Sequence, residues 1–352
     1  MKILRKLCIL TICILLTLMC TACGSSKTSQ TGQSNELNIF GFDEDIPKKV
    51  IEDFEKETGI KVNFSTFSSN EEMYAKISAG KHSYDLINMG TYYVEIFIKE
   101  GLAEKINKNK ITNYKNIDEQ FLGVVSNDPD DLYSVPYYWG EEVIAINTDL
   151  VKKDVKSYED LFDPEFENSL VVLDDSRTMI GAMLQTLGYS ANTQNKEEMD
   201  KAKQLLKKLK PNIKIFDSSN AKILLVSNEV KGGIVYGGEA NLAIRENPSI
   251  KKIYPKEFLG LFQGNWVIPK GAANNVNAHK FIDFILRPEV GKEIVMTSPY
   301  NTPNTEVLEI LPEDIRKEID IPKEEIERGT YGVDIGEATP YFDQVWAEFK
   351  SQ

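Results

Sequence analysis

Beyond residue 23 this 352-residue chain has no cysteine, because all four, Cys8, Cys13, Cys20 and Cys23, lie in its first 23 positions. Disulfides, cysteine metal ligands and cysteine nucleophiles are thereby excluded from everything downstream. Histidine is nearly as scarce. His82 and His279 are the only two and lie far apart, so a zinc site or a histidine-centred triad has little to be built from. His82 sits in the polar run Gly80-Lys81-His82-Ser83 and His279 opens an amphipathic helix, and both read as surface residues. No Gly-rich phosphate loop is present: Gly237-Gly238, within Val235 to Ala240, reads as a strand-to-helix turn too short for a nucleotide motif. No metal or cofactor is expected. Basic residues are outnumbered, 41 Lys and Arg against 54 Asp and Glu for a net charge of −13. That balance argues against nucleic acid and anionic lipid surfaces as partners and favours small cations.

What is present begins with the basic stretch Met1 to Lys6, followed by an uncharged run from Leu7 to Ala22. This is the layout of a signal peptide. The apolar part, Leu7 to Met19, is shorter than the roughly 20 residues a membrane span needs, so a cleaved leader over residues 1–22 is expected. Thr21-Ala22-Cys23-Gly24 resembles the lipobox of bacterial lipoproteins. The resemblance implies lipidation of Cys23 and a lipid anchor on the extracytoplasmic face of the cell membrane, where two acyl chains hold stably and one would not. Residues 23–36, rich in Ser, Thr, Gln and Gly, cannot bury a core and read as a flexible tether.

From Leu37 onward short apolar strands alternate with helical patterns, the signature of an α/β protein with a largely parallel sheet. Leu37 to Phe40 reads as the first strand. The following helix places Ile46, Val50, Ile51 and Phe54 on one face, with Pro47 near its start and Gly59 just past its end. A strand at 61–66, a helix at 70–78, a strand at 84–89 and a turn into 91–100 complete two βαβ units. Met199, Ala202, Leu206 and Leu209, and again Ala278, Phe281, Ile282 and Ile285, recur at helical spacing and are read as core stripes without chemistry. About 315 residues exceed what one core usually supports, so two lobes are expected around a ligand cleft. The boundaries read as 37–140 plus 263–307 for the first lobe and 141–262 plus 308–352 for the second.

Several stretches are similar to the spermidine/putrescine-binding proteins of bacterial polyamine ABC importers. Glu57-Thr58-Gly59-Ile60-Lys61-Val62, Ser69 to Lys76, Thr91-Tyr92-Tyr93-Val94, Val135-Pro136-Tyr137-Tyr138-Trp139-Gly140, Leu187 to Thr193, Leu286-Arg287-Pro288-Glu289-Val290 and Thr302-Pro303-Asn304 recur in that family's order. The resemblance spans essentially the whole chain after the tether. It implies a periplasmic-binding-protein-like fold of type II, two α/β lobes closing over a linear polyamine, permease subunits as partners, a monomer, and no catalytic activity. By position, the family's first-loop site falls on Phe42, Asp43, Glu44 and Asp45, its tyrosine after the third strand on Tyr92, and its second-lobe carboxylate on Asp175. Its remaining pocket aromatics fall on Tyr236, Phe262 and Tyr300.

A polyamine is a string of ammonium groups joined by hydrocarbon, and a buried ammonium without a partner is costly. Its site therefore needs carboxylates at the amine spacing and aromatic faces over the methylenes. This chain departs from the family at five positions, one of them Asp45, where the family has its first-loop tyrosine. A second acid three residues after Asp175 is Thr178, a hinge acid is Gly264, and a polar contact near the C-terminus is Gly332; the family's serine before the Thr-Tyr pair is Gly90. Asp45, Glu142 and Glu239 stand beside pocket positions as replacement acids. Capture of a different small cationic or amine-bearing solute in the same fold is the alternative reading. A carboxylate-based extracellular hydrolase using doublets such as Asp174-Asp175 or Glu141-Glu142 is the remote one. Adjacent strand residues point to opposite faces, which counts against a shared site.

Overall fold

The computed structural model describes residues 35–42, 45–80 and 82–351. The leader, Cys23 and most of the tether, together with Asp43 and Glu44, lie outside the described residues. The first strand, β1 (Glu36–Phe42), starts at Glu36, so the tether expectation overran by one residue.

Local sequence chemistry sets the first elements. β1 buries Leu37, Ile39, Phe40 and Gly41, and the helix Lys48–Thr58 follows it with Pro47 at its N-cap and Gly59 at its C-cap. Gly59 has φ of 70°, the left-handed conformation that a side chain would strain, and its N–H closes on the Glu55 carbonyl. β2 (Lys61–Phe67) then pairs with β1 in parallel from Glu36↔Lys61 to Phe42↔Phe67. Ser69 caps the helix Asn70–Ser78 by accepting from the Glu72 N–H, and β3 (Leu86–Gly90) joins the other edge of β1 in parallel. The two expected βαβ units are thus present, with the helix Thr91–Lys99 leaving the end of β3.

Two long strands then tie this part of the sheet to the rest. β4 (Ser134–Asn147) and β9 (Leu259–Val267) run antiparallel from Ser134↔Val267 to Glu142↔Gly260. β9 also pairs β3, while β4 continues onto β7 (Gly232–Tyr236) and β8 (Ile250–Ile253). Beyond β7 come β5 (Leu170–Val172) and β6 (Ile213–Phe216), both parallel. The order across the described sheet is β2-β1-β3-β9-β4-β7-β5-β6, with β10 (Gly329–Tyr331) on β9 and β8 on β4. One core gathers around Phe54, Trp266 and Phe281, another around Tyr158, Phe166 and the Met199–Leu209 stripe. Both helical stripes read from the sequence are buried.

His279 departs from its reading as a surface residue. It is 2% exposed, its Nε2 accepts the Asn107 N–H at 2.9 Å, and its Nδ1 lies 2.8 Å from the Asn275 carbonyl. One histidine thereby fastens the helix Asn275–Ile285 to a loop 172 residues earlier, a partnership no local pattern announces. His82 is half-buried beside the Tyr84 ring.

Candidate functional site

A cavity of about 170 Å³ opens where β3 and β7 end beside the middle of β4 and β9, near the helix that Asp175 starts. Its lining combines rings and carboxylates, and the two groups have separate structural origins.

The rings come from the sheet. Tyr236 closes β7 and N-caps the helix Gly237–Glu246. Phe262 lies on β9, 4.9 Å from Tyr236, 6.0 Å from Tyr300 and 6.3 Å from Tyr138, each contact edge-on. Tyr138 was not among the residues picked from sequence. A register shift between Pro136 and Tyr138 brings it opposite Gly264 on β9, the kind of bulge that re-aims a side chain. A Cβ on Gly264 would lie 2.5 Å from the Tyr138 ring, so the tyrosine fills the space a larger residue at 264 would take. The Tyr138 hydroxyl donates to Asn88 Oδ1 at 3.2 Å. Phe42, at the end of β1, packs edge-on against Phe67, and its N–H donates to Asp45 Oδ2 at 2.9 Å. Asp45 lines the cavity, with its carbonyl accepting from the Tyr137 hydroxyl at 2.8 Å.

The carboxylates gather around the start of one helix. Asp175 N-caps Ser176–Thr186, its Oδ1 accepting the Thr178 N–H at 2.8 Å. Thr178 in turn donates its hydroxyl to Glu142 Oε1 at 2.6 Å. The acid that the family resemblance places at 178 is absent, and a carboxylate reaches the same residue from β4 instead. Burial pushes the Glu142 carboxyl up to about 8. Burial also raises Asp175. Glu71, in the first turn of its helix, is held well above the usual carboxylate range by burial and then by the Asp175 charge. Ser176 Oγ lies 3.2 Å from Glu71 Oε1 and 3.4 Å from the exposed Asp343 Oδ1, and its single proton serves one of them at a time.

Within this acid group stands Arg177, 9% exposed. Its Nη2 donates to Asn192 Oδ1 and the Val333 carbonyl, and its guanidinium lies 4.8 Å from the Phe342 ring and 5.6 Å from that of Tyr92. Its Nε and Nη1, Glu71 Oε2 and the Tyr92 hydroxyl are all closed off without a hydrogen-bond partner. Buried polar atoms are seldom left so. Burial, with the Glu71 and Asp175 charges behind it, keeps the proton on the Tyr92 hydroxyl.

Of the residues chosen from sequence, Phe42, Asp45, Tyr92, Asp175, Tyr236, Phe262 and Tyr300 all line this cavity, as do Glu142 and Glu239. Glu239 Oε2 accepts the Lys222 N–H at 2.9 Å, so part of that carboxylate serves a helix start. Gly90, Gly264 and Gly332 also line it. Sequence reasoning missed Tyr138, Arg177 and Glu71. Tyr138 and Glu71 lie inside stretches that carried the family resemblance, and Arg177 stands two residues after Asp175; nothing else in the sequence pointed at them. The acid doublets split as strand parity and capping demand. Glu141 pairs with Lys252 at 3.0 Å while Glu142 faces Thr178, and Asp174 binds Lys350 and Trp346 while Asp175 faces the cavity.

With this geometry in place, comparison with known proteins is informative. The family model described as bacterial extracellular solute-binding protein matches residues 49–323. Spermidine/putrescine-binding periplasmic proteins of Salmonella typhimurium and Escherichia coli are each 37% identical over 322 residues, covering 90% of this chain and 92% of theirs. A Listeria monocytogenes protein assigned to spermidine/putrescine ABC transport superposes with a TM-score of 0.86 at 34% identity, covering 90% of this chain and 99% of that one. The spermidine/putrescine ABC transporter substrate-binding protein of Streptococcus pneumoniae gives 0.74 at 31%, with the same coverage. The mixed α/β architecture is therefore the periplasmic-binding-protein-like one expected from the sequence, and the chain belongs to the bacterial extracellular solute-binding protein family.

Proposed function

We propose that this protein captures a polyamine, spermidine or putrescine, between two closing lobes and delivers it to the permease subunits of an ABC importer, acting as a binder and not an enzyme. The observation that carries the reading is the pairing of two buried carboxylates, Asp175 and Glu142, on Thr178 beside the ring group of Phe262, Tyr236, Tyr300 and Tyr138. Carboxylates match ammonium groups and rings match the methylenes between them, with cation–π attraction of roughly 0.5–2 kcal/mol per contact. The relatives named for spermidine and putrescine support the same ligand class. We take the lobes as 37–140 plus 263–307 and 141–262 plus 308–352. The protein works as a monomer, anchored through Cys23 on the extracytoplasmic face.

Isothermal calorimetry on protein unfolded and refolded to strip bound solute tests the ligand. Saturable heat with putrescine or spermidine is expected, and silence with both overturns the polyamine reading. The unpaired Nε and Nη1 of Arg177 favour a second reading, an amine that also carries an anionic group. Mass spectrometry of solute released from freshly purified protein separates the two.

A further inference from the structure

Resting on the polyamine reading, we infer that this pocket selects an α,ω-diamine over a triamine, and that Tyr138 facing Gly264 is the pair of residues that sets the preference. The argument starts from where charge is found along the cavity. Asp175 and Glu142 meet on Thr178, and their charges reach the Tyr236 hydroxyl. Asp45 lies at another place in the lining, beside Tyr137 and Tyr138, where its charge acts on both hydroxyls. Between Tyr138 and Tyr236 stands Phe262, 6.3 Å from one ring and 4.9 Å from the other. The sequence of chemistry is therefore carboxylate, rings, carboxylate.

The hinge acid that the resemblance places at 264 would have put a charge in the middle of that series. Here the position is glycine, and Tyr138 occupies its space so closely that any Cβ would sit 2.5 Å from the ring. The β4 bulge that aims the tyrosine there and the Asn88 amide oxygen that takes its hydroxyl proton hold the ring in place. An α,ω-diamine puts an ammonium near each carboxylate and bare methylenes against the rings. A triamine puts its internal ammonium against Phe262, away from the Asp175–Glu142 pair at one end and Asp45 at the other, where desolvation is not repaid by an ion pair with either of these described groups. Ring faces offset only part of that cost.

Competitive calorimetry of the refolded protein against putrescine and spermidine tests this. The diamine is expected to bind at least tenfold more tightly. In the double variant Tyr138→Ala with Gly264→Asp the ratio is expected to move at least tenfold toward spermidine. Spermidine binding as tightly as putrescine to the unaltered protein overturns the inference and leaves the polyamine reading standing. Absence of binding by either amine overturns both. The wild-type ratio needs no variant, so a poorly folding double mutant does not shield the claim.

Discussion

The ring group around Phe262 and the carboxylate group around Asp175 meet at one cavity, yet among the described residues around it the unpaired ionisable atoms belong to the second, while the first leaves only the amide atoms Asn88 Nδ2 and Gln263 Oε1 without a partner. The rings pack edge-on against one another, and the Tyr138 hydroxyl has Asn88 as its acceptor. The charged group instead leaves Glu71 Oε2, the Tyr92 hydroxyl and two guanidinium nitrogens of Arg177 closed off and unpaired. The rings are preorganised hydrocarbon surface that any methylene chain could use. The carboxylates are an unfinished hydrogen-bond network, which costs free energy until something supplies the missing partners. What a ligand completes is thus the electrostatics of one group, while the other fixes its shape.

The largest effect follows from removing the cation that this unfinished network already owns. Arg177→Met keeps most of the side-chain volume against Phe342 but leaves Asp175 and Glu71 facing one another without the guanidinium. Losing the charge-assisted bonds to Asn192 and the Val333 carbonyl, together with the attraction of the Asp175 and Glu71 charges, costs on the order of 3 kcal/mol. Urea unfolding followed by circular dichroism is expected to show a loss of that size. A loss under about 1 kcal/mol would mean that Arg177 is as solvated as the surface pair Arg287–Glu57, and the contrast between the two groups would fail.

Asp175→Asn should be smaller and fall on a different quantity. Asparagine caps a helix about as well as aspartate, so the bond to the Thr178 N–H survives and the unfolding midpoint changes little. Ligand affinity is expected to fall roughly a hundredfold, about 3 kcal/mol, because one ammonium loses its charged partner. Calorimetry of the variant beside its melting curve checks both halves. Loss of stability without loss of affinity would make Asp175 a capping residue and nothing more.

The sequence carried the elements that local chemistry decides. Pro47, Gly59 and Ser69 mark helix ends whose geometry depends on a few neighbouring atoms, and the period of Met199, Ala202, Leu206 and Leu209 needs only one helix to be read. The family resemblance carried Asp175, Tyr236 and Phe262 to the cavity lining. What stayed hidden depends on pairing between distant segments. Strand parity says that Glu141 and Glu142 face opposite ways but not which one faces inward. Tyr138 meets Gly264 only because β4 is bulged. Glu71 reads as an ordinary acid in a first helical turn, favourable to the helix dipole, until Ser176 is found 105 residues on. His279 looked exposed because its partner backbone lies 172 positions away.

The smallest and most diagnostic test is the pH response of the unfinished group. Burial raises the Glu142 carboxyl from 4.5 to about 8 in the ligand-free protein. Between those values the folded state holds a proton that the unfolded chain has released. Stability from this residue is therefore greatest at the acid end of that window and declines as pH rises through it. The histidines, both lowered by burial, work oppositely below 6.5. Glu57, lowered by its bond from Arg287, changes only below the ordinary carboxylate range. The Glu142→Gln variant separates these contributions, since it should abolish the decline that the carboxyl causes and leave the rest. A bound ammonium favours the ionised carboxylate, so the rise in melting temperature caused by putrescine should grow from pH 5.5 to 8 in the wild type and grow less in the variant. Proton release on binding, read by calorimetry in buffers of different ionisation enthalpy, should be present within this window and fall away as pH passes 8, where the free carboxylate is already ionised. A ligand-induced rise that is flat across this range would place the carboxylates in their charged form before the ligand arrives, and the charged group would then be as finished as the rings.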